Sequence, residues 1–295
     1  TMVDTIIVGK GVGVEALASL GAADWLNWLF LGLVTGLTQG FSIQMAQLYG
    51  AGQKERLKQT IGNAVFLTAA AAVLFVLVGQ AGLRFFLDLM HTPENIYAGA
   101  EIYLRIMFGG IPVILAYNLS AAMLRGLGDG KTALYAMIVA ACINVVLDLL
   151  FVMVFHWGIP GAAAAPVIAQ VFSFVYCFVS IRKIEAFRIR REDLRLQSAT
   201  VSRLLMLGMP VMFQNIIISV GGMVLQSVIN EFGFIFVAGF TATNKLYGLL
   251  EMAAISFGYA VTTYTGQNLG AGRLDRIRTG MRSAMIMAAV TSVLV

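Results

Sequence analysis

Gln47-Leu48-Tyr49-Gly50-Ala51-Gly52, followed by Glu55-Arg56-Leu57-Lys58, returns as Gln267-Asn268-Leu269-Gly270-Ala271-Gly272, followed by Asp275-Arg276-Ile277-Arg278. The offset is 220 residues, and it holds without a gap upstream: Gly13 matches Gly233, Ala18 matches Ala238, Ala22 matches Ala242 and Leu26 matches Leu246. Each copy closes a long apolar segment with a turn of small residues and then enters a basic amphipathic stretch. A repeat of this length implies two structurally related halves. In a chain that lives in lipid, two related halves are the plan of a transporter with its site between them.

Lipid is the solvent that the composition demands. Hydrophobic residues make up 59% of the chain and charged residues 12%, with a mean hydropathy of +0.84. A soluble domain carries roughly twice that charge. Apolar runs of about 20 residues, enough to cross hydrocarbon, recur along the sequence. The first residues already lie in such a run, so no cleavable signal peptide is expected. Cys142 and Cys177 both fall within apolar runs and read as small buried hydrophobes.

The spans read as the end of one helix at 1–10, then about 24–47, 60–87, 98–124, 132–156, 160–183, 202–231 and 234–265, and the start of another at 282–295. The net charge of +5 follows this topology and gives no reason to expect nucleic acid. One set of connections holds 16 of the 20 Lys+Arg, from Lys54, Arg56 and Lys58 through Arg125 and Lys131 to Arg273, Arg276, Arg278 and Arg282. The opposite set holds Asp88, His91, Glu94, His156 and Glu231. The positive-inside rule makes the first set cytoplasmic.

The long polar connection, 184–200, divides a first lobe at 1–183 from the start of a second at 201–295. Phe187, Ile189, Leu194 and Leu196 interleave with bases there, as in an amphipathic helix on the inner leaflet. The fold class is therefore an all-α, polytopic membrane protein of two related six-helix lobes. About 20 residues follow the second Gly-Ala-Gly turn, against about 130 between the first and residue 183, so the second lobe is expected to be incomplete here.

A charge at bilayer depth costs about 2.5–3.5 kcal/mol or more, so membrane-embedded polar residues are functional candidates. Asp4 and Asp148 each sit six to eight residues from the outer end of their spans. At a rise of 1.5 Å per residue both lie about 9–12 Å below the outer surface. Two carboxylates sharing one cavity favour uptake and release of a proton near neutral pH. Asn144, four residues before Asp148 on the same helix face, is placed to donate to it. The alternative is a polar packing cluster.

Lys245 and Glu251 lie deep in the eighth span as cavity candidates or locally paired groups, and Glu101 with Arg105 reads as a local salt bridge. Gln214 and Asn215 follow Pro210, so a bend there would expose polar groups to a cavity. Pro112 sits at a similar place in the fourth span, and both prolines read as hinges or plain kinks. Met206, Met209, Met212 and Met223 suit either an adaptable pocket or ordinary packing. The sequence carries no phosphate-binding loop, metal-spaced His/Cys cluster or embedded Ser/His/Asp set, so neither an enzyme nor a cofactor is indicated. Energy would come from an ion gradient of H+ or Na+.

Leu124-Arg125-Gly126-Leu127-Gly128-Asp129-Gly130-Lys131-Thr132, the Asn144-to-Asp148 motif and Trp157-Gly158-Ile159-Pro160-Gly161 closely resemble the multidrug and toxic compound extrusion (MATE) family. Val3-Asp4-Thr5-Ile6-Ile7-Val8-Gly9, the doubled Gly-Ala-Gly turns and Val224-Leu225-Gln226-Ser227 add to the likeness, which spans essentially the whole chain. Asn144-x-x-x-Asp148 is similar to the prokaryotic branch that includes the DNA-damage-inducible transporters.

The resemblance implies twelve helices in two lobes. It implies antiport at the bacterial inner membrane, with a drug or organic cation leaving as H+ or Na+ enters. Asp4, Asn144 and Asp148 then form the cation-linked network. Pro166 stands where relatives often carry a Thr that joins this network, and the seventh span lacks the acid of Na+-coupled relatives, which favours protons. The expected partners are amphipathic compounds and membrane lipid, and the expected state is a monomer. Two rivals are a lipid-linked precursor flippase of the same wider superfamily, disfavoured because Lys245 is the sole clear cavity cation, and a receptor or scaffold that transports nothing.

Overall fold

The computed structural model describes residues 2–184, 187, 189–230, 232 and 234–294, apart from the side chains of a subset of helix residues. The repeat appears in it as two helix–turn–helix units. Helix α2 (Val14–Gly50) and helix α9 (Phe234–Gly270) are both 37 residues long. Each is followed, after a three-residue turn, by α3 (Lys54–Leu89) or α10 (Leu274–Leu294). The turns share their hydrogen bonds. Ala51 N–H donates to Gln47 O at 2.9 Å and Gln53 N–H to Leu48 O at 3.0 Å; Ala271 N–H donates to Gln267 O at 3.0 Å and Arg273 N–H to Asn268 O at 2.8 Å. The last glycine of each turn takes a left-handed backbone, φ 68° at Gly52 and 71° at Gly272, which a side chain would resist.

Helix α1 (Met2–Gly11) precedes the first copy, and between the copies run α4 (Glu94–Gly109), α5 (Ile111–Gly126), α6 (Gly130–Asp148), α7 (Ile159–Arg182) and α8 (Ser198–Asn230). Among the described residues, five helical stretches are long and apolar enough to cross a membrane, and α4 with α5, bent by 46° at their junction, makes a sixth if the pair is one span. The Gly-Asp-Gly-Lys-Thr motif is a helix exchange. Gly128 at φ 91° ends α5, and Asp129 caps α6 by accepting from the backbone N–H of Thr132 at 3.0 Å and from its hydroxyl at 2.6 Å.

Several boundaries depart from the sequence reading. Helix α2 begins ten residues before position 24, because the chain turns at Gly13 (φ 116°) straight out of α1. Pro112 stands in the first turn of α5, where its missing N–H costs nothing, just past the bend of the fourth span. Pro210, by contrast, lies inside an unbroken α8, so the expected hinge is not a break in that helix. Pro166 likewise lies within α7. Cys177 is buried, but Cys142 is exposed on α6.

Among the described residues three apolar clusters form, two of them large. One is built around Phe30, Leu83, Leu104 and Phe108, with the Phe30 and Phe108 rings 4.3 Å apart; the other around Phe41, Met45, Ile61, Leu119 and Leu124. In lipid such packing works through close van der Waals fit rather than water exclusion.

The linker is not a long amphipathic helix among its described residues. It forms a short 3-10 turn at Arg191–Leu194, closed by Asp193, whose side chain accepts from the Arg190 N–H at 2.7 Å. It docks on α3 where Gly62 leaves room for the Asp193 carbonyl. Asn63, fully buried, donates to Arg195 O at 3.2 Å and accepts from Gln197 N–H at 2.9 Å. Helix α8 therefore starts from a point fixed to the first lobe.

It stays there along its length. Gly32, Gly36 and Gly40 of α2, one turn apart, meet Asn215, Met212 and Gly208 of α8, and Gly222 of α8 meets the Trp25 ring. Small residues at this spacing let helix backbones close on each other in a bilayer.

Candidate functional site

The polar centre of the first lobe is assembled by α1 and α6. Asp148 is the last residue of α6 and is fully buried. One turn earlier, buried Asn144 donates Nδ2–H to Asp148 Oδ2 at 3.1 Å, as its spacing predicts. Asp148 Oδ1 is buried without a hydrogen-bond partner. The Asp4 carboxyl, half-buried on α1, lies within hydrogen-bonding reach of Asp148. Two carboxylates are acceptors only, so no bond joins them unless one carries a proton.

The chain folds this way locally because helical structure does not stop where α6 ends. It continues as a π-helical segment, Leu149–Val154, with Phe155 N–H donating to Leu150 O and Trp157 N–H to Phe151 O, both at 2.8 Å. A π turn carries an extra residue and is common beside functional sites. The Trp157 ring stacks on Phe151 at 4.7 Å and closes the segment. Val152 and Met153 of the π turn press against Gly11 of α1, while Ile7 and Val8 pack with Val152 and Ala162. This contact fixes α1, and with it Asp4, against the end of α6.

Two residues that the sequence reading passed over belong to the same neighbourhood. Buried Tyr103 of α4 stands within electrostatic reach of Asp24 on α2 as well as of Asp4 and Asp148. A tyrosine in an apolar helix carries no signal by itself, and Asp24 stood at the expected edge of its span. Gln170 of α7 also has a buried Oε1 without a partner.

The remaining candidates lie apart from this centre. Asn215 donates Nδ2–H to Gly32 O at 2.9 Å and so belongs to the α2–α8 seam instead of a cavity wall. Gln214, its neighbour on the helix, is exposed. Lys245 and Glu251 fall on α9, and their side chains lie outside those described. Glu101 binds Arg105 at 2.6 Å, as expected, and also Arg84 of α3 at 3.1 Å, so the pair is part of a tie between two helices.

The MatE family model matches residues 1–150 and 210–295 of the chain. Two curated Bacillus subtilis (strain 168) proteins are similar to it. The probable multidrug resistance protein YoeA is 31% identical over 95% of the chain, and the probable multidrug resistance protein YpnP is 32% identical over 93%. The chain spans 62% of the length of each. Among solved structures, a MOP superfamily transporter from Pyrococcus furiosus Vc1 (DSM3638) superimposes with a TM-score of 0.89 at 23% identity, over 98% of this chain and 65% of that one.

Proposed function

This chain belongs to the MatE family, and we propose that, within a complete two-lobe transporter, it exports organic cations or other amphipathic compounds in exchange for protons. The observation that carries the coupling half of this reading is the buried carboxyl of Asp148, with Oδ2 held by Asn144 and Oδ1 left without a hydrogen-bond partner, within hydrogen-bonding reach of the Asp4 carboxyl. A proton placed between the carboxyls turns mutual repulsion into an O–H···O bond. Losing it restores the repulsion and gives α1 a reason to shift on the π turn. A ligand drives an equilibrium only by its differential affinity for two states. Here proton and drug are the competing ligands, the first favouring a neutral cluster and the second an anionic lobe.

The export half rests on the two Bacillus subtilis relatives, both probable multidrug resistance proteins. The basic connections, including the linker, face the cytoplasm in this reading, and the membrane is a bacterial inner membrane. The test is ethidium accumulation in efflux-deficient cells expressing the complete transporter, wild type beside Asp148→Asn, at two external pH values. Wild type should lower accumulation in a pH-dependent way and the variant should not. Well-expressed wild type that leaves accumulation unchanged at both pH values would sink the exporter reading.

A further inference from the structure

A second set of polar side chains, away from the acid pair, joins α3 to α4 toward the ends opposite the basic connections. Glu101 Oε1 of α4 accepts from two arginines at once: from Arg84 Nε of α3 at 3.1 Å, and from Arg105 Nε at 3.0 Å and Nη2 at 2.6 Å. Arg105 Nη1 also donates to Gln80 Oε1 at 3.4 Å, and Gln80 Nε2 donates to the Arg105 carbonyl at 2.7 Å. Asp88, one turn beyond Arg84, accepts from the Tyr97 hydroxyl at 2.9 Å. Among the described residues neither arginine pairs with a carboxylate other than Glu101.

Two guanidiniums therefore share one carboxylate oxygen, and their positive charge exceeds that of their only ion-pair partner. Glu101 is tucked in, with 16% of its side chain exposed, whereas Arg84 is 71% and Arg105 44% exposed. Arg84 donates through Nε alone, so among the described residues its two Nη groups meet no protein acceptor.

The surroundings are apolar. Leu77 and Val73, seven and eleven residues before Arg84, share its face of α3 and are exposed, as are Phe85 and Ile102 beside the pair. The 36 residues of α3 span about 54 Å, more than the roughly 40–45 Å of a bilayer with its headgroups. Arg84, five residues from the end of α3, thus stands about 8 Å from it, at headgroup depth. Arg105 lies one turn deeper than Glu101 and reaches back to it, as long basic side chains do at a membrane surface.

We propose that Arg84 and Arg105 form a site for the phosphate of an anionic phospholipid in the leaflet opposite the basic connections, with an acyl chain lying along Leu77 and Val73. A guanidinium fork matches phosphate oxygens in shape and charge. A zwitterionic headgroup gains less, because it brings a cation of its own to an already positive patch. The apolar stripe leads from the arginines toward the bilayer centre, which suits a lipid and not a free phosphate. The bound phosphate would bridge α3 and α4.

The test uses the complete transporter with every native cysteine replaced, Cys142→Ser and Cys177→Ala among them, in phosphatidylcholine vesicles. A bimane fluorophore on Leu77→Cys reports contact with a small fraction of phosphatidylglycerol or phosphatidylcholine brominated on its acyl chains. The brominated phosphatidylglycerol should be preferred by about fivefold or more, the weight of one basic residue near anionic lipid. Arg84→Gln with Arg105→Gln should bring the two lipids to parity at that position. A second reporter on exposed Phe66→Cys, toward the basic end of α3, should respond to each lipid as it does without the arginine substitutions, which also shows that the doubly substituted protein is folded.

Equal quenching at position 77 by the two lipids with both arginines present overturns the proposal. So does a preference that survives the double substitution, or one lost at positions 66 and 77 together. The readout involves no transport, so a transporter that exports no dye can still hold the lipid.

Discussion

The two copies of the repeat share a backbone and differ in what surrounds it. In the first copy Phe41, Met45 and Ile61 are fully buried beneath Leu119, Met123 and Leu124 of α5. Their counterparts Val261, Thr265 and Met281 border a space of about 320 Å³ that Ile43 and Gln47 of the first copy also line. The turns share the backbone bonds donated by Ala51 and Ala271, by Gly52 and Gly272, and by Gln53 and Arg273, and it is at the turns that the copies touch one another, Gly50 against the Gln267 carbonyl and Gly270 against that of Gln47. The backbone is alike at these turns, while the side chains on the helices beside them differ. Charge follows the same division: Asp24 of the first copy corresponds to Asn244 of the second, and Trp25 to Lys245.

The comparison breaks most visibly at the acid pair, which lies in the first lobe. Asp148→Asn should eliminate pH-dependent dye export, whereas Thr265→Val in the second copy should leave it unchanged; a pH-dependent Asp148→Asn transporter would show that the first lobe has no special coupling role. Next in size, Gly50→Val and Gly270→Val should each destabilise by about 1–3 kcal/mol through backbone overpacking, and by equal amounts within about 0.5 kcal/mol. Thermal melting in detergent reads this, and a large inequality means the crossing is not reciprocal.

Exchanging the diverged positions sharpens the contrast. Met45→Thr should cost roughly 2–3 kcal/mol, from lost packing and a buried hydroxyl, read by thermal melting. A loss near zero would mean that the core of the first copy is not tightly packed at Met45. The smallest effects belong to Gly52→Ala and Gly272→Ala, each about 1 kcal/mol, because alanine must enter the left-handed region at both turns. A loss at one and none at the other would show that the turns differ despite their shared hydrogen bonds.

Much of this was legible in the sequence. The 220-residue offset predicted the paired helices, since a turn of Gly-Ala-Gly followed by a basic stretch is local chemistry. Asn144 and Asp148 could be joined from spacing alone, because residues four apart share a helix face. Asp4 could be placed at the depth of Asp148 but not against it. That contact depends on the π turn at Leu149–Val154 and on Gly11 packing into it, and neither has a periodic signature. Asn215 was misread for a related reason: its position after Pro210 suggested an opening, but its amide is spent on the Gly32 carbonyl of another helix.

The sequence by itself therefore determined the solvent, the all-helical class, the repeat and the Asn144–Asp148 pairing. All of these follow from composition, hydropathy and short-range spacing. The tertiary structure alone decided which helices touch and how closely: the glycine seam of α2 on α8, the Asn63 anchor of the linker, Tyr103 beside the acids, and the reciprocal crossing of Gly50 and Gly270. In lipid, apolar helices are held by shape and by a few hydrogen bonds instead of by water exclusion, and shape complementarity between distant segments is written nowhere in a single one of them.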